Sequence, residues 1–268
     1  MATRAGPCYP NPVSVLHRAG ASRPSDFLRI AHRGASAECP ENTLVAFRRA
    51  MELGATMIEC DLQLTADGHV VVFHDWSLER TTDGSGTLRD RPLAELRALD
   101  AGAWKDARFA GERVPTLEEA LDATAGRVGL NLELKSRRSE GLLALSALRI
   151  VQQRAALDRV LFSSFDPGLL ERIRDASPEA RIAVLWASPP FDDALRVARE
   201  LGAEAIHPPD RGTDASLVSR AREDGLSTNV WTVNSLDRML ELVGFGVAGV
   251  ISDHPGRLLE ARARLLGS

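Results

Sequence analysis

Three apolar, strand-like runs in the first third of the chain break off at titratable groups. RIAHRG ends on His32 and Arg33, MIECDLQL carries Glu59 and Asp61, and the run from Val70 to Phe73 stops at His74 and Asp75. Further on, LNLELKS holds Glu133 and Lys135. Residues two apart on a strand share a face, so Glu59 sides with Asp61 and Glu133 with Lys135. If both strands line one barrel, three carboxylates meet in its mouth, and Arg33 and Lys135 offset only part of their charge. Two arrangements satisfy that geometry: an internal salt-bridge cluster, or a bound divalent cation. An all-oxygen donor set selects Mg2+ or Ca2+ over zinc. His32 and His74 flank the carboxylates, where imidazoles that titrate near neutral pH could move protons. Only Lys105 and Lys135 among the 33 basic side chains are lysine, so an ammonium beside Glu133 points to a compact charge at that place.

The other candidates have plainer readings. Asp75 either orients a neighbouring ring or caps a turn, and Asn42, in PENT, reads as the cap of the first helix, with a ligand contact as the compatible alternative. Trp231, at the end of its strand in NVWTVN, reads as an apolar wall for a substrate, with barrel filling as the alternative. His17 lies in the amino-terminal tail, His69 starts a strand after the Asp67-Gly68 turn, and His207 ends a strand, where a structural role is favoured over a place on the rim. Cys60 alternates away from its acidic neighbours, toward the helices. Nothing marks Cys39 as reactive. Ser163-Ser164 lacks the G-x-S-x-G elbow of a serine hydrolase.

Strands are expected at 27–31, 57–64, 128–134, 160–164, 181–186, 204–207, 227–233 and 248–252. Helices are expected near 43–53, 116–124, 140–155, 167–176, 191–201, 214–224, 235–243 and 255–265. Thr116 followed by LEE has capping-box spacing, and Gly54, Gly202 and Gly225 stand where helices should stop. Eight such units predict a parallel (β/α)8 barrel, the TIM-barrel fold of the α/β class; an open doubly wound sheet would not need eight. Residues 75–115 form an insertion of about 40 residues after the second strand region, with a short helix near 92–99. We read it as a cap over the active face of a single domain spanning 27–268, with residues 1–26 a disordered extension.

A net charge of −4 gives no basic surplus for nucleic acid. Three cysteines without a CxxC fit a reducing compartment. No run approaches the roughly 18 apolar residues of a membrane span, and the first 26 residues lack an uninterrupted signal-peptide core. The expected location is cytoplasmic. The sequence leaves the oligomeric state open.

Taken in order, HRGASAECPENT, IECDLQLTADGHVVVFHDWSLERTTDGSG, LRALDAG, VPTLEEAL and LNLELKS resemble the glycerophosphodiester phosphodiesterase family, with the likeness running from about Ile30 to Gly256. The resemblance implies a barrel with this insertion, and hydrolysis of a small-molecule glycerophosphodiester to sn-glycerol 3-phosphate and an alcohol with one divalent cation, Mg2+ or Ca2+. By position it implies Glu59, Asp61 and Glu133 as metal ligands, His32 and His74 as the acid–base pair, Arg33 and Lys135 as phosphate contacts, and Trp231 near the glycerol. Trp76 and Cys39 depart from the family's commoner pattern and bear on substrate choice. Two rivals remain at this point: phospholipase D-type action on a lysophospholipid or sphingolipid, and a non-catalytic barrel that binds phosphorylated ligands.

Overall fold

The computed structural model describes residues 23–135 and 141–267. The expected tail thus falls mostly on residues 1–22, outside the described part, and Pro24–Asp26 form a short 3-10 turn. Eight parallel strands close on themselves. They are β1 (Leu28–His32), β2 (Met57–Leu64), β4 (Gly129–Leu134), β5 (Val160–Ser164), β6 (Arg181–Leu185), β7 (Ala205–His207), β8 (Ser227–Val230) and β9 (Gly249–Ser252). Each pairs with the next, and β1 pairs with both β2 and β9, so no open edge remains in the ring. β3 (Val70–Val72) lies outside it, antiparallel to β2.

Nine helices of an α type are seen among the described residues: α1 (Leu44–Glu52), α2 (Leu93–Ala98), α3 (Leu117–Thr124), α4 (Gly141–Gln153), α5 (Pro167–Ala176), α6 (Phe191–Glu200), α7 (Ala215–Glu223), α8 (Leu236–Phe245) and α9 (Pro255–Gly267). Local chemistry sets their ends. The Thr116 hydroxyl accepts the Glu119 N–H while the Glu119 carboxylate accepts the Thr116 N–H, the reciprocal box that its spacing forecasts. Gly54 and Gly202 have φ of +80° and +62°, where side-chain-bearing residues are strained, and each follows directly on a helix C-cap.

Strand alternation divides the core into two. On β2, Ile58, Cys60 and Leu62 pack outward against Phe47 of α1 and Leu121 of α3 in the shell between strands and helices. Met57 points the other way, into a smaller interior cluster with Ile30, Leu161, Ala183, Ala205 and Ile251. Phe47, Phe162 and Leu117 are fully buried, and burying one such side chain contributes about 2 kcal/mol. The interior is apolar at the bottom, and its upper rows turn polar.

Residues 75–115 carry a third cluster, in which Leu78, Leu88, Leu96 and Val114 pack on Val71 and Phe73 of the β3 segment. Lys105 Nζ reaches the Ser36 carbonyl (2.8 Å) and Arg108 the Glu38 carbonyl, fastening the insertion to the loop after β1. Among the described residues, no side chain from 76–115 lines the central cleft.

Candidate active site

Register brings the acids together. His32 of β1 stands opposite Glu59 of β2, Glu59 opposite Asn131 of β4, and Asp61 opposite Glu133. Since Met57 faces the interior, so do Glu59 and Asp61, and carboxylate oxygens of Glu59, Asp61 and Glu133 lie within 4.8 Å of one another. Glu59 and Asp61 are almost wholly buried. Glu59 and Glu133 line the inner end of a cleft of about 190 Å³ at the carboxyl ends of the strands, together with His32, Arg33, His74, Lys135, Phe165 and Trp231, and Asp61 lies beside them at its floor. The chain therefore gathers the residues that its sequence nominates for the site at or directly beneath one opening, at the end of the barrel where such folds build active sites.

The cations are placed to offset the acids. Lys135 Nζ lies 2.9 Å from Glu133 and 3.4 Å from Asp61, and Arg33 Nε lies 3.2 Å from Asp61. Burial by itself would raise the Asp61 carboxyl, but Arg33 and Lys135 hold it below the usual carboxylate range. Glu59 has less help: burial and the Asp61 charge push it up to about 8. Burial and Asp61 raise Glu133 as well. Glu59 Oε2 accepts the Arg33 backbone N–H at 2.9 Å, whereas Glu59 Oε1 is buried with no hydrogen-bond partner. Asp61 Oδ1 lacks one too and has only the Lys135 ammonium at 3.4 Å. Buried acceptors left short of donors, on hard oxygen ligands, fit a divalent cation.

Each imidazole is braced from behind by a carboxylate. His32 Nδ1 donates to Asp253 Oδ1 at 2.7 Å, and Asp253 is itself held by Ser36 Oγ (3.0 Å) and Asn234 Nδ2 (2.7 Å). His74 Nδ1 donates to Asp75 Oδ1 at 2.6 Å. Burial would raise both aspartates, but their hydrogen bonds and cationic neighbours hold them low, and an ionised carboxylate only accepts. The proton therefore sits on Nδ1 of each ring and Nε2 is left for the cleft. Burial lowers His32, but the bond to Asp253 and the Glu59 charge outweigh it and the net movement is upward. Burial lowers His74, with Arg33 and Lys135 adding to it, and Asp61 only partly offsets them.

Comparison with known proteins fits this geometry. The model of the glycerophosphoryl diester phosphodiesterase family matches residues 32–257. The chain belongs to that family. A glycerophosphodiester phosphodiesterase of Caldanaerobacter subterraneus subsp. tengcongensis is 37% identical over 87% of this chain and 96% of its own length. A phosphodiesterase of Oleispira antarctica, solved with the product sn-glycerol-3-phosphate, superposes with a TM-score of 0.82 at 34% identity, covering 87% of this chain and 95% of that one. A glycerophosphoryl diester phosphodiesterase structure from Silicibacter pomeroyi gives 0.84 at 28% identity over 94% and 98%.

Within this glycerophosphoryl diester phosphodiesterase scaffold, one sequence reading is corrected and the other residues keep the places read for them. Asn42 is not the helix cap: Thr43 accepts the Ala46 N–H, and Asn42, in the left-handed region at φ +58°, donates Nδ2 to Asp61 Oδ2 at 2.8 Å. His207 is fully buried; its Nε2 accepts from Asn229 Nδ2, and burial alone pushes it down to about 3, so it is neutral and away from the cleft. His69 is exposed beside Asp67. Cys60 and Cys39 are buried free thiols, and burial raises both. Trp231 does stand at the cleft wall, its indole N–H on the His207 carbonyl (2.8 Å) and its ring edge-on to Phe165 at 5.6 Å.

Sequence reasoning passed over Asp253, Glu41, Gln63 and Phe165. Glu41 accepts from Arg33 Nη1 at 2.8 Å. The Gln63 amide donates to the carbonyls of Phe73, His74 and Asp75 (2.9, 3.0 and 2.8 Å), pinning the backbone that presents His74. Gly34 is required for another reason: it follows Arg33 with φ of +84°, and a Cβ there would stand 2.8 Å from the Ala46 backbone.

Proposed function

We propose that the chain hydrolyses glycerophosphodiesters to sn-glycerol 3-phosphate and the free alcohol, using a divalent cation, Mg2+ or Ca2+, and general acid–base catalysis by His32 and His74. The observation that carries this reading is the convergence of Glu59, Asp61 and Glu133 within 4.8 Å, with two aspartate-braced imidazoles beside them. Family membership and the product-bound relative support it.

Glu59, Asp61 and Glu133 would hold the cation, which when bound supplies Lewis-acid polarisation of a phosphoryl oxygen. Arg33 and Lys135 then face the remaining anionic oxygens and offset the charge that grows on them in the transition state. One imidazole takes at Nε2 the proton of the attacking oxygen, either water or the glycerol 2-hydroxyl. The other, as the imidazolium, delivers its Nε2 proton to the departing alkoxide, and the Asp253 and Asp75 bonds keep a proton on Nδ1 of both rings so that Nε2 is the atom that exchanges it. Trp231 and Phe165 form an apolar wall for the carbon face of the glycerol. These groups lie at the cleft or, for Asp61, directly beneath it, so the substrate would meet a preformed site.

The test is a panel of glycerophosphodiesters with different alcohols, assayed for sn-glycerol 3-phosphate with Mg2+, Ca2+ or Mn2+ and after exhaustive chelation. We expect release that depends on added cation. Full turnover in the chelated protein would rule out the metal assignment, and no release from any diester would rule out the substrate class.

A further inference from the structure

One side chain of the insertion reaches both halves of the site without entering the cleft. Arg80 grips Asp75 through Nε, in a very short contact, and through Nη2 at 3.0 Å. The same guanidinium grips Glu41 through Nη1 (2.8 Å) and Nη2 (2.7 Å). Asp75 is the carboxylate behind His74, and Glu41 is the one behind Arg33. A relay thus runs from His74 through Asp75, Arg80 and Glu41 to Arg33, and Arg33 ends it on Asp61. Arg80 itself is 44% exposed at the side chain and is absent from the cleft lining.

We infer that Arg80 is a positioning residue, which fixes the separation and orientation of the His74 ring and the Arg33 guanidinium by holding their two carboxylates in one planar fork. Four donor contacts to two carboxylates need the flat, five-donor guanidinium; the three donors of an ammonium on a flexible stem cannot reproduce that geometry. The remaining contacts of the two carboxylates explain why the fork matters. Asp75 sits at the start of the insertion and Glu41 in the loop before α1; Gln63 of β2 holds the Asp75 backbone carbonyl, but neither carboxylate lies on a barrel strand as those of Glu59 and Asp61 do. Without Arg80, Glu41 would keep only Arg33 and Asp75 only the His74 N–H among these partners; the two acids would repel each other and draw apart, each shifting the guanidinium or ring it holds. The insertion would then serve the chemistry by holding one imidazole and one guanidinium in place from outside the cleft.

This inference rests on the hydrolytic reading above, and the experiment separates the two. Wild type, Arg80→Ala, Arg80→Lys and, as a remote control, Arg196→Ala are assayed on a glycerophosphodiester with cation in excess, with melting temperatures recorded. We expect Arg80→Ala to lower kcat roughly 10- to 100-fold with KM changed much less, since a misplacement of about 1 Å costs that order. Arg80→Lys should recover little of it, and millimolar guanidinium or ethylguanidinium should restore kcat in Arg80→Ala while leaving Arg196→Ala unaffected. An unchanged kcat in Arg80→Ala overturns the inference. So does a loss that follows a lowered melting temperature and is not rescued by guanidinium, because that marks a purely structural role. If wild type itself releases no sn-glycerol 3-phosphate, the hydrolytic reading fails and this inference falls with it.

Discussion

Glu59 should trade stability for function, and the size of the trade can be worked from its surroundings. Its carboxyl is raised from 4.5 to about 8, by burial first and the Asp61 charge second. At about 1.4 kcal/mol per tenfold change, that withholds roughly 5 kcal/mol from the ionised form in the metal-free fold. Glutamine keeps an acceptor for the Arg33 N–H, which now ends on Glu59 Oε2, and removes the charge. We therefore expect metal-free Glu59→Gln to be more stable than wild type at pH 9 by on the order of 2–5 kcal/mol, a shift in melting temperature of about 5 °C or more. The folded carboxyl binds its proton more tightly than the unfolded chain does. The wild-type penalty is thus small below about pH 4.5, grows as pH rises to about 8, and is level above that. The Glu59 charge supports part of the rise at His32, so the His32 contribution differs between the two proteins: it narrows the gap while His32 is protonated and is gone once the ring is neutral, which is why the comparison is read at pH 9. Melting curves with chelator from pH 4 to 9 measure the gap. Saturating Mg2+ or Ca2+ should close or reverse it by stabilising wild type alone. A gap of constant size across this range, or a variant less stable than wild type at pH 9, would refute the reasoning that Glu59 is an uncompensated buried charge.

Three further outcomes are expected. His32→Ala and His74→Ala should each lower kcat by about 10²- to 10⁴-fold while circular dichroism and melting stay near wild type; near-normal turnover in either variant removes that ring from the proton transfers. Asp253→Asn should lower kcat by roughly 10² or more with KM little changed, because an amide no longer enforces the Nδ1–H tautomer of His32, and steady-state kinetics on a soluble diester will show whether the loss lies in kcat. Lys135→Met should weaken both cation-dependent activity and the metal-free fold, since Glu133 and Asp61 lose the ammonium at 2.9 and 3.4 Å; a variant as stable as wild type in chelator would show that the ammonium offsets none of the carboxylate charge.

The fold and the inner half of the site were legible because a period of two decides both. Once 57–64 and 129–134 read as neighbouring strands of one barrel, alternation sends Glu59, Asp61 and Glu133 inward and Ile58, Cys60 and Leu62 outward, and a slip of one residue would reverse both sets. The eight-unit rhythm needed only the apolar runs and the glycine stops. The two imidazoles were legible because each closes an apolar run: His32 is the last residue of β1, and His74 follows the run that contains β3.

The outer half was not legible, because its bonds join segments that only ring closure brings side by side. Asp253 braces His32 across 221 residues, a contact that exists only since β9 returns to pair with β1. In sequence it is one more Asp between a strand and a helix, where capping is the ordinary reading. Glu41 and Arg80 meet across 39 residues, between two irregular loops with no repeat to set their faces. Asn42 was misread on the same account: beside Thr43, either residue could cap α1, and only the approach of β2 decides that Thr43 does and Asn42 turns to Asp61. One signal was available. An Asp at the carboxyl end of the last barrel strand must lie next to the end of the first, so a histidine ending β1 implies a partner at or just beyond residue 252. Closure of a barrel thus carries functional information that no local pattern holds: it pairs the last strand end with the first.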